Sequence, residues 1–192
     1  MITTNETLAR WLARVALQDR EAFVEVYRAT SPHLLGLAFR VLNQRERAEE
    51  VLQESFMSVW RNAGRFDPSV ATPMTWLINI VRNKAIDALR AGGSERRATV
   101  PLDEDAMGVA ADEAQSPQHL LEENLKRLKI GECMAGLTAA QRQALALAYY
   151  RGMVHTEIAA SVGAPLGTVK AWIRRGLDRL KGCLEAAGVS PA

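Results

Sequence analysis

Asn79, Asn83 and Asp87 recur every four residues in the segment TPMTWLINIVRNKAIDALR, so a helix there draws them into one polar line, with Arg82, Lys84 and Arg90 beside it. A carboxamide carries both a donor and acceptors, which suits it to reading base edges, while flanking cations suit phosphates. The preceding loop, with Asp67, Ser69 and Thr72, is short, polar and bounded by Pro68 and Pro73. Such a loop can pocket a base drawn out of the stack. A second group lies in HTEIAASVGAPLGTVKAWIR, from His155 to Arg174. There the small Ala159 precedes Gly163 by four residues, and Val169 follows at a core position. Small residue, turn glycine and apolar plug in that order describe a helix-turn-helix, whose second helix enters a major groove. Thr168, Lys170, Ala171, Arg174 and Arg175 fall on or near the exposed first half of that second helix. Arginine can grip guanine bidentately, and a threonine near a helix N-terminus can hold phosphate.

Catalytic chemistry finds no comparable set. GAPLGT lacks the spacing of a phosphate loop and follows no strand. His33, His119 and His155 are isolated along the chain. Cys133 and Cys183 stand 50 residues apart and match no zinc pattern. No enzyme activity, cofactor, metal or small-molecule substrate is expected.

The elements that must position these residues are all helical. Leu8, Leu12 and Val15 form a first stripe; Asp19 caps a second helix with Ala22, Phe23, Val26 and Tyr27 inside. Ser31-Pro32 is an N-cap followed by proline, predicting a third helix with Leu34, Leu35, Ala38, Val41 and Leu42. A fourth is predicted from about Arg45 to Asn62, with Val51, Leu52, Phe56 and Val59 inward, and a fifth from Thr72-Pro73 to about Arg90. Helix resumes near Pro117 and runs to about Met134; Thr138 and Gln141 form a capping box for the helix from Ala139 to Tyr150. In the last helix, Val169, Ile173, Leu177 and Leu180 are expected to pack inward.

Charge is segregated. Between Ala98 and Leu125 stand Asp103, Glu104, Asp105, Asp112, Glu113, Glu122 and Glu123 with no Lys or Arg, leaving +9 elsewhere out of a net +2. A basic body interrupted by an acidic, Gly- and Pro-containing stretch suggests a polyanion-binding protein with a tether. The expected class is all-α: two small helical domains, an N-terminal bundle (1–92) and a C-terminal helix-turn-helix domain (118–192), joined by a flexible acidic linker (93–117). No run of about 18 apolar residues offers a membrane span. Arg10 and Arg14 interrupt any leader-like stretch in MITTNETLARWLARV, so a cytoplasmic location is expected.

Three segments together resemble the extracytoplasmic-function (group IV) sigma factors of bacterial RNA polymerase. AEEVLQESFMSVWRN (Ala48 to Asn62) resembles the helix that docks on the polymerase clamp. FDPSVATPMTWLINIVRNKAIDALR (Phe66 to Arg90) resembles the segment that melts and reads the minus-ten element, and LTAAQRQALALAYYRGMVHTEIAASVGAPLGTVKAWIRRGLDRLK (Leu137 to Lys181) resembles the minus-thirty-five domain. The resemblance implies that Glu50, Gln53, Glu54 and Phe56 meet the clamp coiled coil. It implies that Asn83 and Asp87 face minus-ten DNA and that the loop from Asp67 to Thr72 holds an unstacked base; Asn79, Arg82, Lys84 and Arg90 join that surface by the helix spacing above. Lys170, Ala171, Arg174 and Arg175 would face the minus-thirty-five groove. The chain departs from the family at Glu50, where Asp is usual, and at Ala171-Trp172, where Ser-Arg is frequent; the second departure gives Trp172 a packing role. Core polymerase, promoter DNA and an anti-sigma factor, often membrane-anchored, are the implied partners.

Length is consistent with that reading. Two sites one and a half turns apart are roughly 50 Å apart on DNA. A linker of about 26 residues reaches at most roughly 85–95 Å extended but averages about 25–30 Å relaxed. A platform must therefore draw it out, and its acidic residues would lie in a channel otherwise used by nucleic acid. Cys133 and Cys183 both fall in the C-terminal segment. They are read by preference as small buried hydrophobes, and otherwise as a redox pair whose disulfide alters inhibitor binding. A transcription regulator with a helical sensor domain is the rival reading; it predicts stable binding to a palindromic duplex by the protein alone.

Overall fold

The computed structural model describes residues 4–91 and 128–189. The chain divides into two compact units, with the division falling between those two described stretches. The expected acidic linker and the beginning of the helix expected from Pro117 lie outside the described residues. Every described element is helical.

The N-terminal unit contains α1 (Asn5–Ala16), α2 (Arg20–Leu42), α3 (Arg45–Asn62), a 3₁₀ turn (Ala63–Arg65) and α4 (Pro73–Ala91). Caps fix the ends. The Thr7 amide donates to Thr4 Oγ1 at 3.2 Å, and the Ala22 amide donates to Asp19 Oδ1 at 3.1 Å. Asn43 closes α2 in the left-handed conformation at φ 51°, a role asparagine tolerates.

Leu8, Leu12 and Val15 of α1 are buried as expected, and so are Val51, Leu52, Phe56 and Val59 of α3. α4 adds Leu77, Val81, Ala85, Ile86 and Leu89.

Two expectations change in α2. Ser31-Pro32 does not open a new helix: α2 runs unbroken from Arg20 to Leu42 with Pro32 inside it. Proline lacks the amide that would reach the Arg28 carbonyl, a local cost of roughly 3 kcal/mol. The stripe Ala22, Val26, Thr30, Leu34, Ala38, buried at every fourth position, crosses the proline and holds both halves on the same core. The Thr30 hydroxyl donates to the Val26 carbonyl at 2.7 Å, which lets a polar residue sit in that stripe. Tyr27 is 44% exposed, so it caps the core edge and is not part of its interior.

The C-terminal unit contains α5 (helical over 128–135), α6 (Ala139–Tyr150), α7 (His155–Val162) and α8 (Leu166–Ala186). The capping box is present: the Gln141 amide donates to Thr138 Oγ1 at 3.3 Å and the Thr138 amide to Gln141 Oε1 at 3.0 Å. Glu157 Oε2 accepts the Val154 amide at 2.9 Å and caps α7. Gly163 then takes φ 64°, and the Ala164 amide donates back to the Ala159 carbonyl at 3.1 Å. That is the glycine-closed helix end the sequence implied.

The core here is small: Ala144, Ile158, Val169 and Ile173 are buried, with Leu145, Ala159, Val162 and Trp172 among the partly buried side chains against them. Leu177 departs from expectation. It is 51% exposed, and the buried line of α8 passes through Gly176 instead. A Cβ on Gly176 would meet Leu145 Cδ1 at 3.0 Å. The missing side chain lets α8 approach α6 closely there; at about 100° per residue Gly176 lies close to the line of Val169, while Leu177 lies about 80° round the helix from it.

Cys133 and Cys183 are joined in a disulfide, with Cα atoms 5.7 Å apart. This overturns the preferred reading of two unlinked buried hydrophobes. The bridge ties α5 to the last turns of α8. Lys129 strengthens that tie, its Nζ donating to the Ala187 carbonyl at 2.9 Å, where a cation suits a helix C-terminus.

Candidate nucleic-acid and polymerase interfaces

On α4 the buried line Leu77, Val81, Ala85 and Leu89 fixes what faces outward. Asn79, Asn83, Asp87 and Arg90 are all exposed, and Arg82 is partly exposed. Arg82 Nη1 lies 3.5 Å from Asn83 Oδ1, a long hydrogen bond along this face.

Lys84 belongs elsewhere. It leans toward α3, with Nζ 3.6 Å from Glu54 Oε2. Together with Gln53, Glu54, Met57, Ser58 and Arg61 it lines an open depression of about 300 Å³ between α3 and α4.

That depression adjoins the row of α3 side chains expected to meet polymerase. Glu50, Gln53 and Glu54 are exposed at positions that share one helix face. Phe56 does not join them. It is 3% exposed, and its ring packs edge-on against Tyr27 (4.7 Å) and Phe23 (6.1 Å). Phe56 therefore positions the face and does not present itself on it. Met57, 47% exposed, takes the apolar place on that face instead. Met57 and Arg61 follow Glu54 by three and seven residues, so extending the helical spacing by one and two turns reaches both.

The loop before α4 has a defined shape. Asp67 Oδ1 accepts both the Ser69 amide (2.8 Å) and the Ser69 hydroxyl (2.6 Å). The Asp67 carbonyl accepts the amides of Val70 (3.1 Å) and Ala71 (3.3 Å). These bonds from Ser69, side chain first and then backbone, hold the Asp67 carboxyl below its ordinary value of 3.8. Thr72 caps α4, its Oγ1 accepting the Thr75 amide at 3.3 Å. Phe66 and Trp76 close the loop's two ends, with ring centroids 5.7 Å apart.

On α8, Lys170, Arg174 and Arg175 are exposed, while Thr168 and Ala171 are partly covered. Val169 and Ile173, fully or nearly buried, alternate with them and anchor the helix. Trp172 packs on the small core, as its departure from the family pattern implied. Among the described residues no three His, Cys, Asp or Glu side chains gather as a metal site. No described helix is long and apolar enough to cross a membrane.

A polar, cation-flanked helix face in one unit and a cationic helix-turn-helix in the other define a class: helical proteins that engage nucleic acid at two places. The comparisons make the class specific. Residues 26–95 match Sigma-70 region 2, and residues 127–180 match Sigma-70 region 4. The chain is 34% identical over 190 residues to the ECF RNA polymerase sigma factor SigK of Mycobacterium ulcerans (strain Agy99), covering 95% of this chain and 96% of that protein. It is 32% identical to the SigK of Mycobacterium sp. (strain KMS), over 90% of this chain and 88% of that one. Among solved structures, Rhodobacter sphaeroides SigE in complex with the anti-sigma ChrR aligns with 91% of this chain and 99% of its own, at 27% identity and a TM-score of 0.47.

The chain belongs to the extracytoplasmic-function family of RNA polymerase sigma factors. It is an alternative sigma factor, which directs RNA polymerase to promoters.

Proposed function

We propose a division of labour between the two units. α3 docks on the polymerase clamp through Glu50, Gln53, Glu54 and the exposed Met57. α8 enters the major groove of the minus-thirty-five element as duplex. Lys170, Arg174 and Arg175 supply base and phosphate contacts there, with Thr168 and Ala171 at the helix entrance. The outer face of α4, with Asn79, Arg82, Asn83, Asp87 and Arg90, then holds the minus-ten strand after melting, and the loop before α4 traps a base. Unstacking a base costs a few kcal/mol; stacking and phosphate contacts on the single strand offset it.

Lys84 reaches the strand only by leaving Glu54. The acidic linker, outside the described residues, is assigned to a polymerase channel. The protein acts in the cytoplasm, without chemistry of its own. Its inhibitor is an anti-sigma factor, possibly anchored in a membrane, and in a reducing compartment the Cys133–Cys183 bridge is a labile link that would change the inhibitor's grip.

The observation that carries this reading is on α8. Lys170, Arg174 and Arg175 are exposed, while Val169, just before them, is 0% exposed and Ile173, among them, is 9% exposed. The helix is thus anchored on one side and cationic on the other. Co-purification with core polymerase, followed by run-off transcription, tests it. Core enzyme plus this chain should initiate at specific promoters, whereas the chain alone binds duplex weakly. Arg174→Ala should lower initiation by roughly tenfold, the value of one good base contact of about 1.4 kcal/mol, and leave core binding unchanged. Equal loss of both activities, or stable binding of a palindrome without polymerase, would sink the reading.

A further inference from the structure

Lys84 stands where the two faces of the N-terminal unit meet. On α4 it lies about 60° round the helix from Asp87 and about 100° from Asn83. Its ammonium turns instead to α3, with Nζ 3.6 Å from Glu54 Oε2. The two ends of that pair differ in access. The Lys84 side chain is 32% exposed and that of Glu54 70% exposed, so a partner can reach the carboxylate while the amine is still held. Glu54 is also the only acid lining the depression they share, whose other charged wall is the cation Arg61. Once something else takes Glu54, Lys84 faces Arg61 across a depression without a carboxylate. Its flexible four-carbon stem then lets the ammonium turn toward the outer face of α4. Glu50 and Glu54 carry like charge four residues apart on the exposed face of α3. A surface that docks there gains by bringing cations, and those cations compete with Lys84 for Glu54.

We propose that the Lys84–Glu54 pair couples the two binding events: in the free chain Glu54 holds Lys84 away from DNA, and docking on polymerase takes Glu54 and releases Lys84 to a phosphate of the minus-ten strand. Glu54 is then a positioning residue for a DNA contact as well as a docking residue. This rests on the function proposed above and names the ion pair that links its two faces. The coupling is reciprocal: DNA that captures Lys84 frees Glu54 for polymerase by the same factor. A pair this exposed limits that factor to about fivefold.

The test is a double-mutant cycle of Lys84→Met and Glu54→Gln in the full chain. Both substitutions keep the length of the side chain. Strand binding by the free chain is read from the fluorescence anisotropy of a labelled oligodeoxythymidylate across a salt series; a homopolymer suffices because a phosphate contact carries no sequence information. Glu54→Gln should tighten binding by up to about fivefold and steepen the slope of log K against log salt by about 0.7, the value of one phosphate gained. Adding Lys84→Met should abolish both gains. In holoenzyme saturated with core polymerase the pair is already broken, so Lys84→Met should lower run-off initiation by the same factor whether or not Glu54→Gln is present.

Free Glu54→Gln protein that binds no more tightly than wild type would overturn the proposal. So would a gain that persists in the double variant, because Glu54 would then be acting through its own charge on the strand. A Lys84→Met variant that initiates as well as wild type in holoenzyme, or whose loss there depends on Glu54, counts against it equally. Wild-type holoenzyme that initiates on no promoter would instead remove the proposed function itself, so the two failures are distinguishable.

Discussion

The two units reach similar helical architectures by different means. In the N-terminal unit, Leu8, Leu12, Val15, Val26, Leu34, Val41, Val59, Leu77 and Val81 from four helices are essentially removed from water. In the C-terminal unit the central cluster is Ala144, Ile158, Val169 and Ile173, and of these only Ile158, Val169 and Ala144 are at 1% exposure or below. A small helical domain with the apolar burial seen among the described residues sits close to the threshold of stability. The Cys133–Cys183 bridge, the Lys129 cap on α8 and the Thr138 capping box compensate. One unit is held by its interior. The other is held largely by its ends, which leaves the outer face of α8 free to carry Lys170, Arg174 and Arg175.

The sharpest way to break this contrast is to remove one buried side chain from each unit. Leu77→Ala empties a site that is 0% exposed in the N-terminal core, and about 2–5 kcal/mol should be lost. In a denaturant titration only the N-terminal unit's transition should move. Ile158→Ala, of equal burial, should cost a similar amount but abolish the C-terminal fold outright once the disulfide is reduced. A single transition shifting in both variants would show that the units do not fold independently.

The disulfide gives the next largest effect. It closes a loop of 50 residues, and constraining such a loop in the unfolded chain contributes about 2–4 kcal/mol. Cys133→Ser with Cys183→Ser should lower the C-terminal unit's unfolding free energy by that amount, and so its denaturation midpoint, and leave the N-terminal midpoint in place. Circular dichroism on the double variant and on reduced wild-type protein should agree. A midpoint unchanged by reduction would mean that the small core suffices alone and that the contrast between the units is wrong.

What was legible in the sequence follows the same division. Helix ends carried by local chemistry were readable: Asp19, Thr138 and Gly163 each act within four residues of themselves. Apolar stripes at helical spacing were readable too, in α1 and α3. The misreadings concern effects that only tertiary packing decides. Ser31-Pro32 is a sound start signal, but the stripe through Thr30 and Leu34 overrides it. Leu177 follows Ile173 by four, but two steps of four drift off the face, and the inner line of α8 passes through Gly176, against Leu145. Phe56 lies next to the exposed α3 residues in sequence, yet two aromatic neighbours from α2 enclose it. The cysteines, 50 residues apart, could not be paired by any local rule. In the loop before α4, Asp67, Ser69 and Thr72 were legible as polar residues, but the hydrogen bonds by which they shape the loop and cap α4 depend on its folded backbone.

The mildest test concerns pH, and it separates the units through a single carboxylate. Asp19 caps α2, and its carboxyl is held below the ordinary 3.8, first by the Ala22 amide and then by Arg14, whose Nη2 lies 2.7 Å from Oδ2. A carboxyl with a folded-state pKa below its unfolded value stabilises the fold fully above the unfolded value. That contribution fades as pH falls through the folded value. Acidification below about pH 4 should therefore weaken the N-terminal unit in part through Asp19. Asp19→Asn can still cap the helix but does not titrate, so its unfolding midpoint should fall less steeply between pH 5 and pH 3 than that of the wild type. The C-terminal unit's transition should show the same pH dependence in both proteins. An Asp19→Asn curve parallel to the wild type through that range would mean that the Arg14 pairing and the cap contribute nothing to the acid response of the N-terminal unit.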